Sequence, residues 1–228
     1  MLAEAVRIPR FALVPVAAGA VLALTACAGG GEEPDPAPST EQAAAAEEES
    51  SGATGAQPPG ELEQGEVPEE QPGLDEADLP DEPADDTPLN ERIAFEALQK
   101  ISSFAQTADP DAEYTCPDIA GEEGESATCT VTLMGEEFDY SVDIESSGFI
   151  VQYQQDMPEG PVVREAVQEQ LRYSTGAESV LCDMDEVVRA EPEAEVEGAT
   201  CFYDDGGGEV RQTGVSVGTY GVPEFDDA

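Results

Sequence analysis

The chain has 228 residues, 52 of them acidic and 8 basic, with no histidine and no tryptophan, so its formal net charge is −44. Such a surface repels nucleic acid and anionic lipid headgroups and favours cations or a basic partner. Without histidine the commonest general base and the commonest transition-metal ligand are missing, and the single lysine is Lys100.

At the N-terminus Arg7 and Arg10 precede a nearly uncharged apolar run from Phe11 to Ala23, broken by Pro15. That is the pattern of a secretion signal, too short for a stable membrane span. The stretch Leu24-Thr25-Ala26-Cys27 resembles a bacterial lipobox. The resemblance implies that residues 1–26 are a lipoprotein signal peptide and that Cys27 is lipidated after cleavage. Two acyl chains at Cys27 are about what stable anchoring requires, and lipidation also accounts for an odd fifth cysteine in a secreted chain. An ordinary signal peptide cut nearby would instead leave Cys27 as a free thiol. The expected location is the extracytoplasmic face of the cell membrane, with the membrane itself as a partner through the Cys27 anchor.

Residues 27–87 follow, rich in Glu, Asp, Pro, Ala, Gly and Ser and without Lys or Arg. Such a composition buries too little apolar surface to offset its ordering entropy, so a disordered acidic tether is expected over 27–87. Self-repulsion would keep it extended and hold the folded part off the membrane.

From Pro88 the texture changes. Thr87-Pro88 opens a predicted helix over about 88–106, in which Ile93, Ala94, Ala97, Leu98, Ile101 and Phe104 recur at three- and four-residue spacing. Tyr114 to Cys116 reads as a short strand. Thr128 to Leu133 and Phe138 to Ile144 alternate as two longer strands around Gly135, and Phe149 to Tyr153 reads as a fourth. The same order then returns. Pro161 opens a predicted second helix carrying Val163, Ala166, Val167 and Leu171, closed by Gly176. Val180-Leu181-Cys182 answers Tyr114-Thr115-Cys116, Ala199-Thr200-Cys201 answers Ala127-Thr128-Cys129, and Asp204 to Gly208 makes a hairpin turn into strands from Val210 to Tyr220. The expected fold is α+β: two tandem repeats, 88–157 and 158–228, each one helix plus a small antiparallel sheet with an internal disulfide.

Four cysteines allow three pairings. Repetition selects Cys116 with Cys129 and Cys182 with Cys201, because each unit then staples its first strand to its second. Units of about 70 residues in an oxidising exterior benefit from such staples, each contributing about 3 kcal/mol in the chain-entropy account. A redox pair would favour Cys-x-x-Cys, and a zinc site would add histidine or tighter spacing.

The stretch from Cys116-Pro117-Asp118-Ile119 through Gly124 to Cys129-Thr130-Val131, with Gly135 and Tyr140-Ser141-Val142, resembles a domain of unassigned function found in actinobacterial lipoproteins. The resemblance covers about 88–155 and implies lipobox, variable linker, helix and cysteine-stapled sheet. The second unit departs from it, lacking the proline after Cys182 and the compact hairpin after Cys201. No catalytic residues come with the resemblance.

The expectation for function is a non-enzymatic binding module of the cell envelope that takes an envelope protein or a wall component and needs no cofactor or metal. Tyr203, Asp204 and Asp205 are candidate contacts, although a solvated hairpin tip is the simpler reading of them. An enzyme is disfavoured: Ser102 and Ser103 lie near Lys100 without a Ser-x-x-Lys spacing, and the carboxylates Asp183 and Asp185 stand in no visible cleft. A third reading rests on fold analogy alone, since tandem helix-plus-stapled-sheet units look like the layout of a secreted β-lactamase inhibitor.

Overall fold

The computed structural model describes residues 56–148 and 150–226; the signal segment, Cys27, the tether up to residue 55 and Phe149 lie outside the described residues. The first helix, α1 (Leu89–Ala105), turns its apolar stripe of Ile93, Ala94, Ala97, Leu98 and Ile101 inward, all at most 3% exposed. Each fully buried Ile or Leu contributes about 1.5–3 kcal/mol. Gln106 ends the helix in the left-handed conformation, with φ 59°. Its side-chain amide donates to the Tyr220 carbonyl at 3.0 Å, tying the helix end to the second half of the chain.

Four strands follow α1 in an antiparallel sheet ordered as in the sequence: β2 (Glu113–Thr115), β3 (Ser126–Leu133), β4 (Glu136–Ser146) and β5 (Gln152–Asp156). Cys129, Val131 and Leu133 of β3 and Phe138, Tyr140, Val142 and Ile144 of β4 face α1 and form the first core. Alternation every second residue, as the sequence shows, puts them on one side. The fourth strand begins at Gln152 rather than at Phe149, whose own placement lies outside the described residues.

The next element corrects the expectation. Pro161 lies within a strand, β6 (Gly160–Val163), and the second helix, α2, spans Arg164–Thr175. β6 pairs with β8 (Val187–Ala190), which occupies what reads in the sequence as a long acidic loop. The β-branched pair Val162-Val163 explains the outcome, because alternation sends its side chains to opposite sides. Val163 joins the first core, and Val162 joins a second one.

That second core is built by α2 and by a sheet ordered β1-β7-β9-β10-β11, where β1 is Glu63–Gln64, β7 Ser179–Asp183, β9 Glu195–Asp204, β10 Val210–Val217 and β11 Pro223–Phe225. The molecule is thus mixed helix and sheet with two disulfides, Cys116–Cys129 and Cys182–Cys201. Cys182 and Cys201 are direct cross-strand partners, and Cys116 directly follows Thr115, which pairs with Thr130 beside Cys129. Their Cα separations of 4.2 and 4.0 Å match closely approaching, non-hydrogen-bonded pairs.

The two cores interlock. Phe104 of α1 is buried in the second core, while Val163 and Ala166 pack in the first. A Cβ at Gly221, where φ is +77°, would overlap the Phe104 carbonyl, so only glycine permits this approach. Arg189 of β8 lies over the Phe138 ring at 4.6 Å and donates to the Glu137 carbonyl at 2.6 Å.

The expected disorder is also corrected over residues 56–87; residues 27–55 lie outside the described residues. Residues 56–87 lie along the folded part as a strap with no fully buried residue. β1 (Glu63–Gln64) pairs antiparallel with β7, the Ala56 N–H donates to the Val210 carbonyl at 2.9 Å, and a short helical turn forms at Glu76–Asp78. Backbone hydrogen bonds and isolated anchors such as Leu79, packed on the first core, hold the strap. Composition, which reports on buried side chains, does not register them.

Candidate functional site

Where the C-terminal end of α1 meets the turn after β10, a surface cleft of about 250 Å3 opens. The helix contributes Lys100, Ser103 and Phe104, β4 contributes Tyr140, β5 contributes Gln155, and the turn contributes Thr219 and Tyr220. Each is placed for a local reason. Lys100 and Ser103 fall on the outward face of a helix whose other face is apolar, Tyr140 takes an inward register in β4, and the Gly218–Gly221 turn, closed by a hydrogen bond between those residues at 3.0 Å, presents Tyr220. Tyr220 is 76% exposed, the most open large hydrophobic side chain among the described residues.

Behind the cleft lies a polar cluster. Glu96 of α1 accepts from the Tyr153 hydroxyl at 2.6 Å and from the Gln155 amide at 2.9 Å. Burial first, and then the hydrogen bond to Glu96, push the Tyr153 hydroxyl well above the ordinary phenol range. Burial likewise raises Tyr140, with the Glu96 carboxylate adding to it. Tyr140 is 2% exposed and its hydroxyl has no partner. A buried hydroxyl left unpaired costs on the order of 1–3 kcal/mol, so the structure leaves a hydrogen bond unmade beside this cleft.

The chemistry available is donation, acceptance and ring contact. Ser102 is fully buried with its hydroxyl unpaired, whereas Ser103 reaches the cleft with Lys100. Asp183 and Asp185 are exposed and do not line it. Among the described residues no three Cys, Asp or Glu side chains gather into a metal-holding group.

The hairpin tip corrects another expectation. Tyr203 is 4% exposed and belongs to the second core, so it is no surface contact. The Asp204 carboxylate accepts from the Gly206 and Gly208 N–H groups at 2.9 and 3.2 Å, and Asp205 accepts from Gly207 N–H and from Arg211 Nε at 2.9 and 2.8 Å. The Gly207 N–H, with Arg211 adding to it, holds the Asp205 carboxyl below the usual range. These aspartates fold their own turn, as Asp side chains do.

Tyr140, Gln155 and Tyr220 are not marked as site residues by the sequence pattern. Tyr140 looks like core by periodicity, and only its unpaired hydroxyl sets it apart. Tyr220 could have been noticed as an aromatic residue among glycines past the last long strand.

Among the described residues no helix is long and apolar enough to cross a membrane. Comparison with family models, curated proteins and solved structures finds no match to this chain.

Proposed function

We propose that this protein is a non-enzymatic binding module of the cell envelope, anchored at Cys27 on the extracytoplasmic face, and that the cleft at the end of α1 takes a neutral, polyhydroxylated wall component. The observation that carries the reading is the unpartnered Tyr140 hydroxyl in a cleft lined by Ser103, Gln155, Thr219 and the open ring of Tyr220. Hydroxyls and amides both donate and accept, as a sugar ring does, and an aromatic face suits its C–H face. A charge of −44 favours a neutral ligand over an anionic one. The volume is near the lower end of ligand pockets, about 300 Å3, and suits one ring or chain end.

On this reading the two halves are tandem copies of one unit. The strands after each helix share one order, β2-β3-β4-β5 and β7-β9-β10-β11, and each disulfide ties the end of the first of these strands to the second. β6, β8 and the strap are then additions to the common plan. The resemblance of 88–155 to actinobacterial lipoprotein domains belongs to the same proposal.

The test is cross-linking from intact envelopes with the full-length protein. A saturable adduct to wall polysaccharide, lost in Tyr220→Ala, supports the proposal; adducts to proteins alone, unchanged by that substitution, overturn it. Fatty-acid labelling lost in Cys27→Ala tests the anchor separately.

A further inference from the structure

At β7 the strap closes the open edge of the second sheet, and the closure is built from specific groups. Glu63 and Gln64 pair with Val180 and Ser179 of β7, and the Gly65 N–H donates to the Glu178 carbonyl at 2.9 Å. Two side chains of α2 clasp the strand: Gln168 donates to the Glu63 carboxylate at 3.2 Å, and Arg172 donates to the Glu63 carbonyl at 3.3 Å. A Cβ at Gly65 would stand 2.7 Å from Arg172 Cζ and Nε, so the strap lies directly against the guanidinium, which a larger side chain there would have to displace. Gln168 and Arg172 are 6% and 9% exposed, and each keeps one buried polar atom without a partner, Oε1 and Nε respectively. Both line a cleft of about 370 Å3 beside the strap.

We propose that the β7 edge and the Gln168/Arg172 clasp form a strand-addition site for the segment Glu63-Gln64-Gly65, filled in cis here and filled in trans by the strap of a second copy of this chain. The occupant follows from the chain itself. Every copy carries the segment by construction, no strap residue is fully buried and so release exposes little apolar surface, and the roughly 20 residues between the clasp and α1 reach about 70 Å when extended. Strand addition through main-chain hydrogen bonds is a recurrent mode of recognition, and exchange of one element between identical chains is its symmetric form. In cis the segment acts at an effective concentration on the order of millimolar, so the wild-type chain is monomeric at micromolar concentration, and exchange takes over where copies are crowded. Repulsion between two chains of −44 makes the exchange salt-dependent.

The experiment mixes two full-length variants at several hundred millimolar salt and reads mass by light scattering. Gly65→Val keeps the groove and spoils the strap; Gln168→Ala with Arg172→Ala keeps the strap and spoils the groove. Each alone is expected to be monomeric, and the mixture to form a one-to-one dimer. A mixture that stays monomeric while hydrogen exchange shows both straps released overturns the proposal, as does a dimer that persists when the donor also carries Gly65→Val. Should the groove variant not fold, a labelled peptide of residues 56–66 titrated onto full-length Gly65→Val reads the same site. Saturable binding at least tenfold tighter than to wild type supports it, and equal or absent binding overturns it.

Discussion

Tyr153 donates its proton to a Glu96 carboxylate that also holds Gln155, so one half-buried carboxylate organises the polar side of the first core. Tyr153→Phe removes a hydrogen bond to a charged group and should cost about 1.5–3 kcal/mol in urea unfolding. Because the folded-state pKa values of Tyr140 and Tyr153 are raised, their contribution is complete below the unfolded phenol value of about 10 and is lost as pH rises above it. Tyr153→Phe should therefore lose less stability than wild type between about pH 10 and 12. Glu125 has the opposite sign. Its carboxylate accepts from the N–H groups of Ala120, Gly121 and Glu122 at 3.0, 2.9 and 3.1 Å, and those bonds, Ala120 foremost, lower its pKa from 4.5. That contribution is present above about 4.5 and lost as pH falls below it. Glu125→Gln should flatten the acid limb of loop protection, read by hydrogen exchange at residues 120–125.

The elements that were legible in the sequence are those whose side chains carry the period. The stripe of Ile93, Ala97, Leu98 and Ile101 announces α1, the alternation from Phe138 to Ile144 announces β4, and the four cysteines fall into the pairs that repetition picks. The elements that were not legible are set by partners distant in sequence. Val162-Val163 reads as the start of a helix until β8 pairs with it, and Glu63-Gln64 reads as disordered because its bonds are made by backbone and by Arg172. Of the candidate site, composition excluded histidine chemistry but did not point to the cleft, which exists only once α1 and the 218–221 turn meet. The disulfides belong to this scale as well. Replacing Cys116 and Cys129 together by alanine should cost about 3 kcal/mol, and the 182–201 pair should cost a similar amount, because loops of 13 and 19 residues differ little in closure entropy.

At the scale of the molecule, Phe104 and Val163 cross between the two cores, and Gly221 lets the turn close on the helix end. Residues 88–226 should consequently unfold in one transition, and Phe104→Ala should destabilise both sheets together by about 3–5 kcal/mol, read by hydrogen exchange in β3 and β9 alike. Separate loss of the second sheet would contradict that coupling. The same junction makes the cleft, so ligand binding and the joining of the halves are one geometric fact. Absence of tryptophan makes it readable, since the chain has six tyrosines and two of them, Tyr140 and Tyr220, line the cleft. The most direct test is a tyrosine-fluorescence titration of the full-length protein with purified neutral wall saccharides. The account expects a saturable change, weakened about tenfold or more in Tyr220→Ala and reduced in Tyr140→Phe. No saturable change with any saccharide, or binding indifferent to both substitutions, would contradict it.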